Sequence, residues 1–541
     1  MREVAAVVKP RTLARYPVGF WFAIAVTVLG FFLLGLLFLP YLGFEYDEVM
    51  FVPMIFHPSK SLFAAPISHH FIPVMEMSYI GALKIWLYSG LFKLWRPTVY
   101  SVRLPVLVVA SLTVFLVAET VRRRSSVRAA VFTGALLATD ISFLLCSTFD
   151  CGPVVIQNFL LSAALYLILV HRETIFGLPL AAFALGLALW DKAIFLWILI
   201  GLVLSGFAFG FRVLRQEQTL KKLPVAAVAF AVGIAPLVVY NVKRPNQTIG
   251  GNAHFTFAEI RPKFTFVRYA LNGQAFVHFF VDDSAPSHRE TISTPSLPQR
   301  RSRNPSSWRF LSFALLLMAG VACARPDRRR LILWLFCAVI LAWLQSVITK
   351  DAGGFVHHVV IFYPALFLAV GLAGEEIAWR FGRYGTLFLA TVGVLLCGAS
   401  FNTVYAQFRD FQQFSPSNFW TDADESLAQY LTAHPNRRIL VADWGIATQA
   451  EVRTLCSRPI EEISFSLKDG NSTTQEAKDW AQSRSLIVLH TPNHEMFPNQ
   501  RGKLAQLAKA SGLAVVPVAT IPDRAGHRMF EIDELSPLPA G

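Results

Sequence analysis

Five short segments place carboxylates, lysines or histidines at the ends of long apolar runs, where a charge is costly unless it faces a cavity or a partner. Gly43-Phe44-Glu45-Tyr46-Asp47-Glu48 follows the first run. Acids there suit a general base toward an acceptor or a metal ligand, and equally a solvated helix cap. Phe149-Asp150-Cys151-Gly152 occupies a tight loop between two later runs, where Asp150 either caps the next helix or turns into a shared cavity. At Trp190-Asp191-Lys192, Lys192 either holds a phosphate as a point charge or forms a surface pair with Asp191. Lys350, His357 and His358 share the segment before another run and suit phosphate or metal, although one histidine of such a pair often only caps or packs. His57, His69 and His70 match no metal-ligand spacing.

The elements that must carry these groups are membrane helices. Of 541 residues, 54% are hydrophobic and 16% charged, against about 25% charged in a soluble protein. Mean hydropathy is +0.48. Apolar runs predict about eleven spans of roughly twenty residues each: 18–39, 99–121, 129–145, 153–170, 176–190, 193–211, 223–240, 308–324, 331–348, 359–379 and 384–401. The first is too long for a signal-peptide core and lacks a small-residue cleavage site. The net charge of +14 is spread over clusters such as Arg122-Arg123-Arg124 and Arg328-Arg329-Arg330, with Arg2, Lys9, Arg11 and Arg15 leading the chain. All fall on one side of the predicted topology, which makes that side cytoplasmic. No separate basic domain accompanies them, so nucleic acid is not an expected partner. Six scattered cysteines form no CxxC pair, and Cys146 and Cys151 would bridge only if their loop faced an oxidising compartment.

Three segments fall outside the cytoplasm in this topology. Loop 41–98 contains Ile80 to Leu94, a helix with Lys84 and Lys93 that suits the interface better than a crossing. Loop 241–307 is long and polar and includes SLPQRRSRNPSS. The tail 404–541 alternates helical stretches with the apolar strands RILVAD, EISFS, SLIVLH and LAVVPVATI, the pattern of a small soluble α/β domain. It has no GxGxxG, Walker A or nucleophile elbow, and suits a cap or acceptor-binding module. The predicted fold is a polytopic α-helical membrane domain, 1–403, followed by this α/β domain.

The order of these features resembles the GT-C glycosyltransferases, in the bacterial branch similar to protein O-mannosyltransferases and the lipid A aminoarabinose transferase. Asp47-Glu48 follows the first span, as in that family's catalytic loop. Arg103-Leu104-Pro105 resembles its RLP motif, and Asp150 precedes an apolar, tyrosine-containing helix as in the family. ALGLALWDKAIFLWILI resembles a GLxxLTKG segment, with Trp-Asp in place of Leu-Thr and Ala after Lys192. KDAGGFVHHVVIFYPALFLAVGLA resembles RYLLPLYPALALLAA, with Tyr363-Pro364 in register.

The resemblance implies an inner-membrane enzyme that moves a sugar from a polyprenyl-phosphate donor to an acceptor outside the cytoplasm, usually with inversion. Asp47 is then the base, with Glu48 and Asp150 in reserve to orient the acceptor or hold a divalent metal, whose use differs among relatives. The departing phosphate needs cations, and Lys192, Lys350, His357, His358 and Arg268 are the groups in place. Rival readings are an O-antigen polymerase or ligase working through Arg261, Arg268 and Arg289, a transporter or flippase of lipid-linked sugars, and a non-catalytic scaffold. The acids cluster at one face and no internal repeat relates the halves, which disfavours a transporter.

Overall fold

The computed structural model describes residues 18–210, 217–276, 279–286, 308–350, 352–492 and 494–538. Arg2, Lys9, Arg11, Arg15, Arg212, Arg215, Arg289 and the stretch SLPQRRSRNPSS lie outside the described residues.

The membrane part is a helical bundle built on one-sided apolar faces. In the helix Val18–Phe38, Phe20, Ile24, Phe31 and Phe38 pack inward. Phe22, Val26, Leu29, Leu33 and Leu37 recur at intervals of three to four residues and stay exposed. An exposed apolar stripe at helical period is a surface for lipid tails. The helices Leu223–Lys243 and Gly382–Gln413 show similar faces, with Val228 and Val232 on one and Leu387 and Val394 on the other.

Among the described residues, five helices are long and apolar enough to cross a membrane, or six if a bent pair counts as one span. The other expected spans coincide with helices that miss that standard for visible reasons. Val155–Val170, Gly177–Asp191 and Trp308–Cys323 have only 16, 15 and 16 residues, short of the roughly twenty that cross the hydrocarbon core untilted. Tyr363–Arg380 carries Glu375 and Glu376 in its last turns, paired with Arg128 and Arg325. The bent pair, Val127–Ala138 and Ile141–Phe149, turns by 61°. Asp140 at the bend caps the second helix through Phe143 N and pairs with Arg309.

Beyond the last long helix lies a five-stranded sheet in the order Ile460–Glu462, Ile439–Val441, Leu486–His490, Arg528–Pro537, Leu513–Pro522. The first three strands are parallel and the last two pair antiparallel. Side-chain alternation builds two cores. Ile439, Val441, Leu486 and Val488 pack with Leu427 and Leu431 on one face. Leu440, Ile487 and Leu489 pack with Trp480 and Leu504 on the other. Of the expected strand EISFS, only its start is extended, in Ile460–Glu462, and Ser464 opens a short helix. The strand Arg528–Pro537 is unforeseen because acids interrupt its apolar pattern.

The described parts of loops 41–98 and 241–307 contain regular structure. Phe63–Ile67 and His70–Met75 form an antiparallel hairpin. Helix Leu83–Leu91 exposes Trp86 and Leu87 as an interfacial helix should, but Lys84 is buried. Loop 241–307 contains the helix Ile260–Asn272 and a strand, Val281–Pro286, paired with Phe414–Pro416.

Candidate active site

The loop after the first helix is held by an unusual density of polar contacts. Gly43 N donates to Trp420 O at 2.9 Å, and a Cβ at position 43 would lie 1.9 Å from Thr421 O, so only glycine fits. The short helix Tyr46–Val49 begins with a capping box in which Glu48 N donates to Glu45 Oε2 and Glu45 N to Glu48 Oε2. The Glu48 carboxylate also takes Arg103 in fork geometry, at 2.5 and 2.8 Å. The remaining Arg103 donors reach the carbonyls of Leu39, Leu42 and Gly43. All five N–H groups of a fully buried guanidinium are thereby used. Glu48 is a structural anchor, and its carboxylate is committed to the loop.

Asp47 is the contrast. It is half-buried, and its carboxylate has no hydrogen bond or ion pair among the described residues. Burial raises its carboxyl above the ordinary range, and the fields of Lys192 and then Lys84 pull it back. Neighbouring Glu45 is pushed well above its usual value, first by burial and then by the Asp47 charge.

Asp150 does two jobs. It sits in the left-handed region with φ 44°. Its Oδ1 accepts from Val154 N and Val155 N, each at 3.1 Å, which is the helix-capping reading. Its Oδ2 accepts from Lys84 Nζ at 2.7 Å. Lys84 Nζ also donates to Glu48 O at 3.2 Å and lies 4.4 Å from the Phe51 ring centre. Asp150 therefore positions a buried cation between the two loops.

Gly152, two residues on, gathers the next groups. Its carbonyl accepts from Lys192 Nζ at 3.1 Å. A Cβ on its far side would meet His357 Nδ1 at 2.3 Å, so the histidine ring rests on bare backbone. His357 Nε2 lies 3.1 Å from His358 Nε2, and His358 Nδ1 accepts from Gly353 N. His358 accordingly carries its proton on Nε2 and shares it with His357. Lys192 is buried, which rules out the surface pair with Asp191.

The structure thus brings Asp47, Asp150, Lys192, His357 and His358 into one neighbourhood. It adds Lys84 and Glu76, which sequence reasoning left out of the site. Glu76 is buried with Oε1 unpartnered, and burial raises its carboxyl to about 8. Lys84, Asp47, Asp191 and Lys192 all act on it. A signal for both was present, since each is the lone charge in an apolar stretch, ALKIWLY and IPVMEMSYI.

Lys350 stays apart. Its side chain is exposed, and its backbone N donates to His254 O. Arg268 lies on the helix Ile260–Asn272, which packs against Val356–Val360, but among the described residues it makes no hydrogen bond or ion pair with any of these groups. No group of three or more His, Cys, Asp or Glu among the described residues is arranged to hold a metal ion. Cys146 and Cys151 are buried free thiols with their sulfurs 3.7 Å apart.

No protein-family model and no curated protein matches the chain. Solved structures do. The chain is similar to ArnT from Cupriavidus metallidurans bound to undecaprenyl phosphate, with a TM-score of 0.57 at 12% identity over 96% of this chain and 98% of that one. The apo state of the same protein matches with a TM-score of 0.53 at 14% identity over 95% and 98%. The Archaeoglobus fulgidus oligosaccharyltransferase tethered to an acceptor peptide matches with a TM-score of 0.51 at 12% identity over 88% of this chain and 69% of that one. The chain shares its overall fold with these structures.

Proposed function

We propose that the protein is a membrane glycosyltransferase that moves a sugar from a polyprenyl-phosphate donor to an acceptor on the outer side of the membrane, with inversion at the anomeric carbon. The observation that carries this reading is Asp47, an unpaired carboxylate in the field of two buried lysines, Lys84 and Lys192. A structure that merely neutralised charge would pair them. Here the Asp47 carboxylate is left for one ligand and Lys192, which among the described residues hydrogen-bonds only the Gly152 carbonyl, for another, while Lys84 is already paired with Asp150 and adds its field. The similarity of the fold to a structure holding undecaprenyl phosphate supports a lipid phosphate as the anion.

In this reading the acceptor oxygen or nitrogen attacks the anomeric carbon of the donor. The bond from that carbon to the phosphate oxygen breaks, and its electron pair stays on the phosphate. The acceptor proton passes to an oxygen of Asp47. Lys192 and Lys84 stabilise the charge that grows on the departing phosphate. Asp150 positions Lys84, and Glu48 with Arg103 fixes the loop that presents Asp47. His357 and His358 form a neutral wall beside Lys192, and Lys350 and Arg268 serve the rim. The basic clusters support a cytoplasmic N-terminus and an inner-membrane location. The reading divides the chain into 1–403, which holds donor and bilayer, and an outward-facing domain, 404–541.

The test is transfer by Asp47→Asn in membranes, with undecaprenyl-phosphate binding measured in the same preparation. Loss of transfer with lipid binding retained is expected. Transfer at the wild-type rate would remove Asp47 as the base.

A further inference from the structure

The end of the bundle far from Asp47 gathers charge of one sign. The helix Val99–Arg124 carries Arg103 beside the Asp47 loop and Arg124 at its other end, roughly 30 Å along at 1.5 Å per residue. That is about the thickness of a hydrocarbon core. The helix Val155–Val170 packs on it, starts at the Asp150 cap and runs the same way, so that Arg172, just past its end, arrives beside Arg124. Arg328 joins them from the first turn of the helix Pro326–Val347.

The acids at this end are committed to other cations. Glu119 takes Arg122 at 2.6 Å and Arg123 at 2.8 Å, and Glu375 takes Arg128 at 2.8 Å. Glu376 takes Arg325 at 2.7 Å and lies 4.0 Å from Arg328. Arg124 Nε, Arg172 Nε and Arg328 Nη1 are sealed in the protein and find no hydrogen-bond partner among the described residues. The side chains of Arg124 and Arg172 are only half-buried, so their Nη ends stay open. Arg328 and Arg172 are the charges that act most strongly on Arg124, ahead of the acid Glu173. Like charges held together with unmatched donors are costly where the dielectric is low. An oxyanion at the open Nη ends offsets that repulsion and supplies the guanidinium groups with charged acceptors.

The surroundings select the kind of oxyanion. Ile175 and Phe176 follow Arg172 closely and are exposed. Trp379 and Phe381, at the end of the helix Tyr363–Arg380, are exposed as well, and Arg325 lies 4.5 Å from the Trp379 ring centre. Apolar and aromatic side chains exposed at helix ends lie at the level of lipid headgroups, and basic pockets between membrane helices at that level suit headgroup phosphates. We propose that Arg124, Arg172 and Arg328 form a binding site for the phosphodiester of an anionic phospholipid, in the leaflet opposite the Asp47 turn. The site stands apart from the reading of Asp47 as the base and serves to seat the bundle in its bilayer.

The experiment uses the full chain in detergent micelles, with phosphatidylglycerol and phosphatidylcholine as probes and bound lipids counted by native mass spectrometry. Phosphatidylglycerol binds the wild type at least about tenfold more tightly than phosphatidylcholine, as one charged hydrogen bond requires. Arg124→Gln and Arg172→Gln each weaken phosphatidylglycerol about tenfold and leave phosphatidylcholine unchanged. Without anionic lipid, the melting temperature of Arg124→Gln stays level or rises, because like charges are thinned. Arg123→Gln removes the same charge from the same helix end and costs less than about twofold, since Arg123 is already paired with Glu119. Equal binding of the two lipids overturns the proposal. So does an equal loss in Arg123→Gln, which would mean diffuse attraction and no built site. Pyrophosphate added without lipid separates a soluble anion from a headgroup. If it binds the wild type and not Arg124→Gln, while phosphatidylglycerol binds both alike, the lipid assignment fails. Lys192→Ala leaves phosphatidylglycerol binding unchanged; a loss there would move the lipid to the Asp47 side and overturn the site.

Discussion

Glu76 offers a quantitative test of the site's electrostatics. Its carboxyl is 5% exposed and burial outweighs the two lysines, so it holds its proton up to about 8 against an ordinary 4.5. The unfolded chain releases that proton near 4.5, so between these values the folded state binds more protons than the unfolded one. Stability then falls as pH rises across the window, by about 1.4 kcal/mol per pH unit. Over the gap from 4.5 to about 8 this amounts to roughly 5 kcal/mol. Below 4.5 the penalty is absent, and above about 8 it is complete. Glu76→Gln keeps the shape and removes the proton equilibrium. Melting temperatures of both proteins, taken in one detergent from pH 5 to pH 9, should diverge steadily and then run parallel, with the variant the more stable at the alkaline end. Equal slopes for the two proteins would show that Glu76 is ionised in the folded state, and the account of a carboxyl kept neutral among Lys84 and Lys192 would fail.

Other outcomes follow from the same geometry. Burial raises the Asp47 carboxyl, and the base works only when ionised, so the acid limb of the kcat/KM profile should lie above 3.8; an acid limb at or below that value would argue against it. Lys192→Ala should weaken undecaprenyl-phosphate binding at least about tenfold, since it removes a charged hydrogen bond, and unchanged binding in a flotation assay would return Lys192 to a packing role. Glu48→Gln should lower stability by roughly 3–5 kcal/mol, because it leaves the Arg103 charge buried without its partner; a melting temperature equal to the wild type would refute the anchor. Lys350→Ala should leave lipid binding within about twofold, as expected for an exposed side chain at the rim, and a larger loss in the same assay would bring Lys350 into the donor site.

Helix positions were legible because lipid-facing and core-facing stripes repeat with helical period. Val18 to Leu39 became Val18–Phe38, and Trp308 to Ala324 became Trp308–Cys323. The eleven-span count was less secure, since a short apolar helix and a crossing helix share one composition. Asp47 was legible as a candidate from its place after the first span. The roles of its neighbours were not. Asp47 and Glu48 are adjacent in sequence, but only Glu48 meets Arg103, 55 residues away. Lys84 looked like an interfacial lysine because nothing local shows that Asp150 lies 2.7 Å from it. Lys350 looked equivalent to Lys192, and their difference is burial alone. Pairings across long sequence separations decide these roles, and a single sequence carries no record of them.

The stitching of the loop after the first helix to the α/β unit changes what that unit is. Phe44 N donates to Asp424 Oδ2 at 3.1 Å, and Arg453, which grips the same carboxylate, lies 4.4 Å from the Phe44 ring centre. His57 reaches Cys456 O at 3.0 Å, and Lys60 pairs with Glu451. Three residues before Asp47, the backbone is thus clamped from 380 residues downstream. A chain shortened after the last long helix would keep its bilayer anchor and lose one wall of the turn that aims Asp47. Synthesis order adds a further consequence: the loop emerges early, but it has no final shape until the C-terminus arrives to close over it.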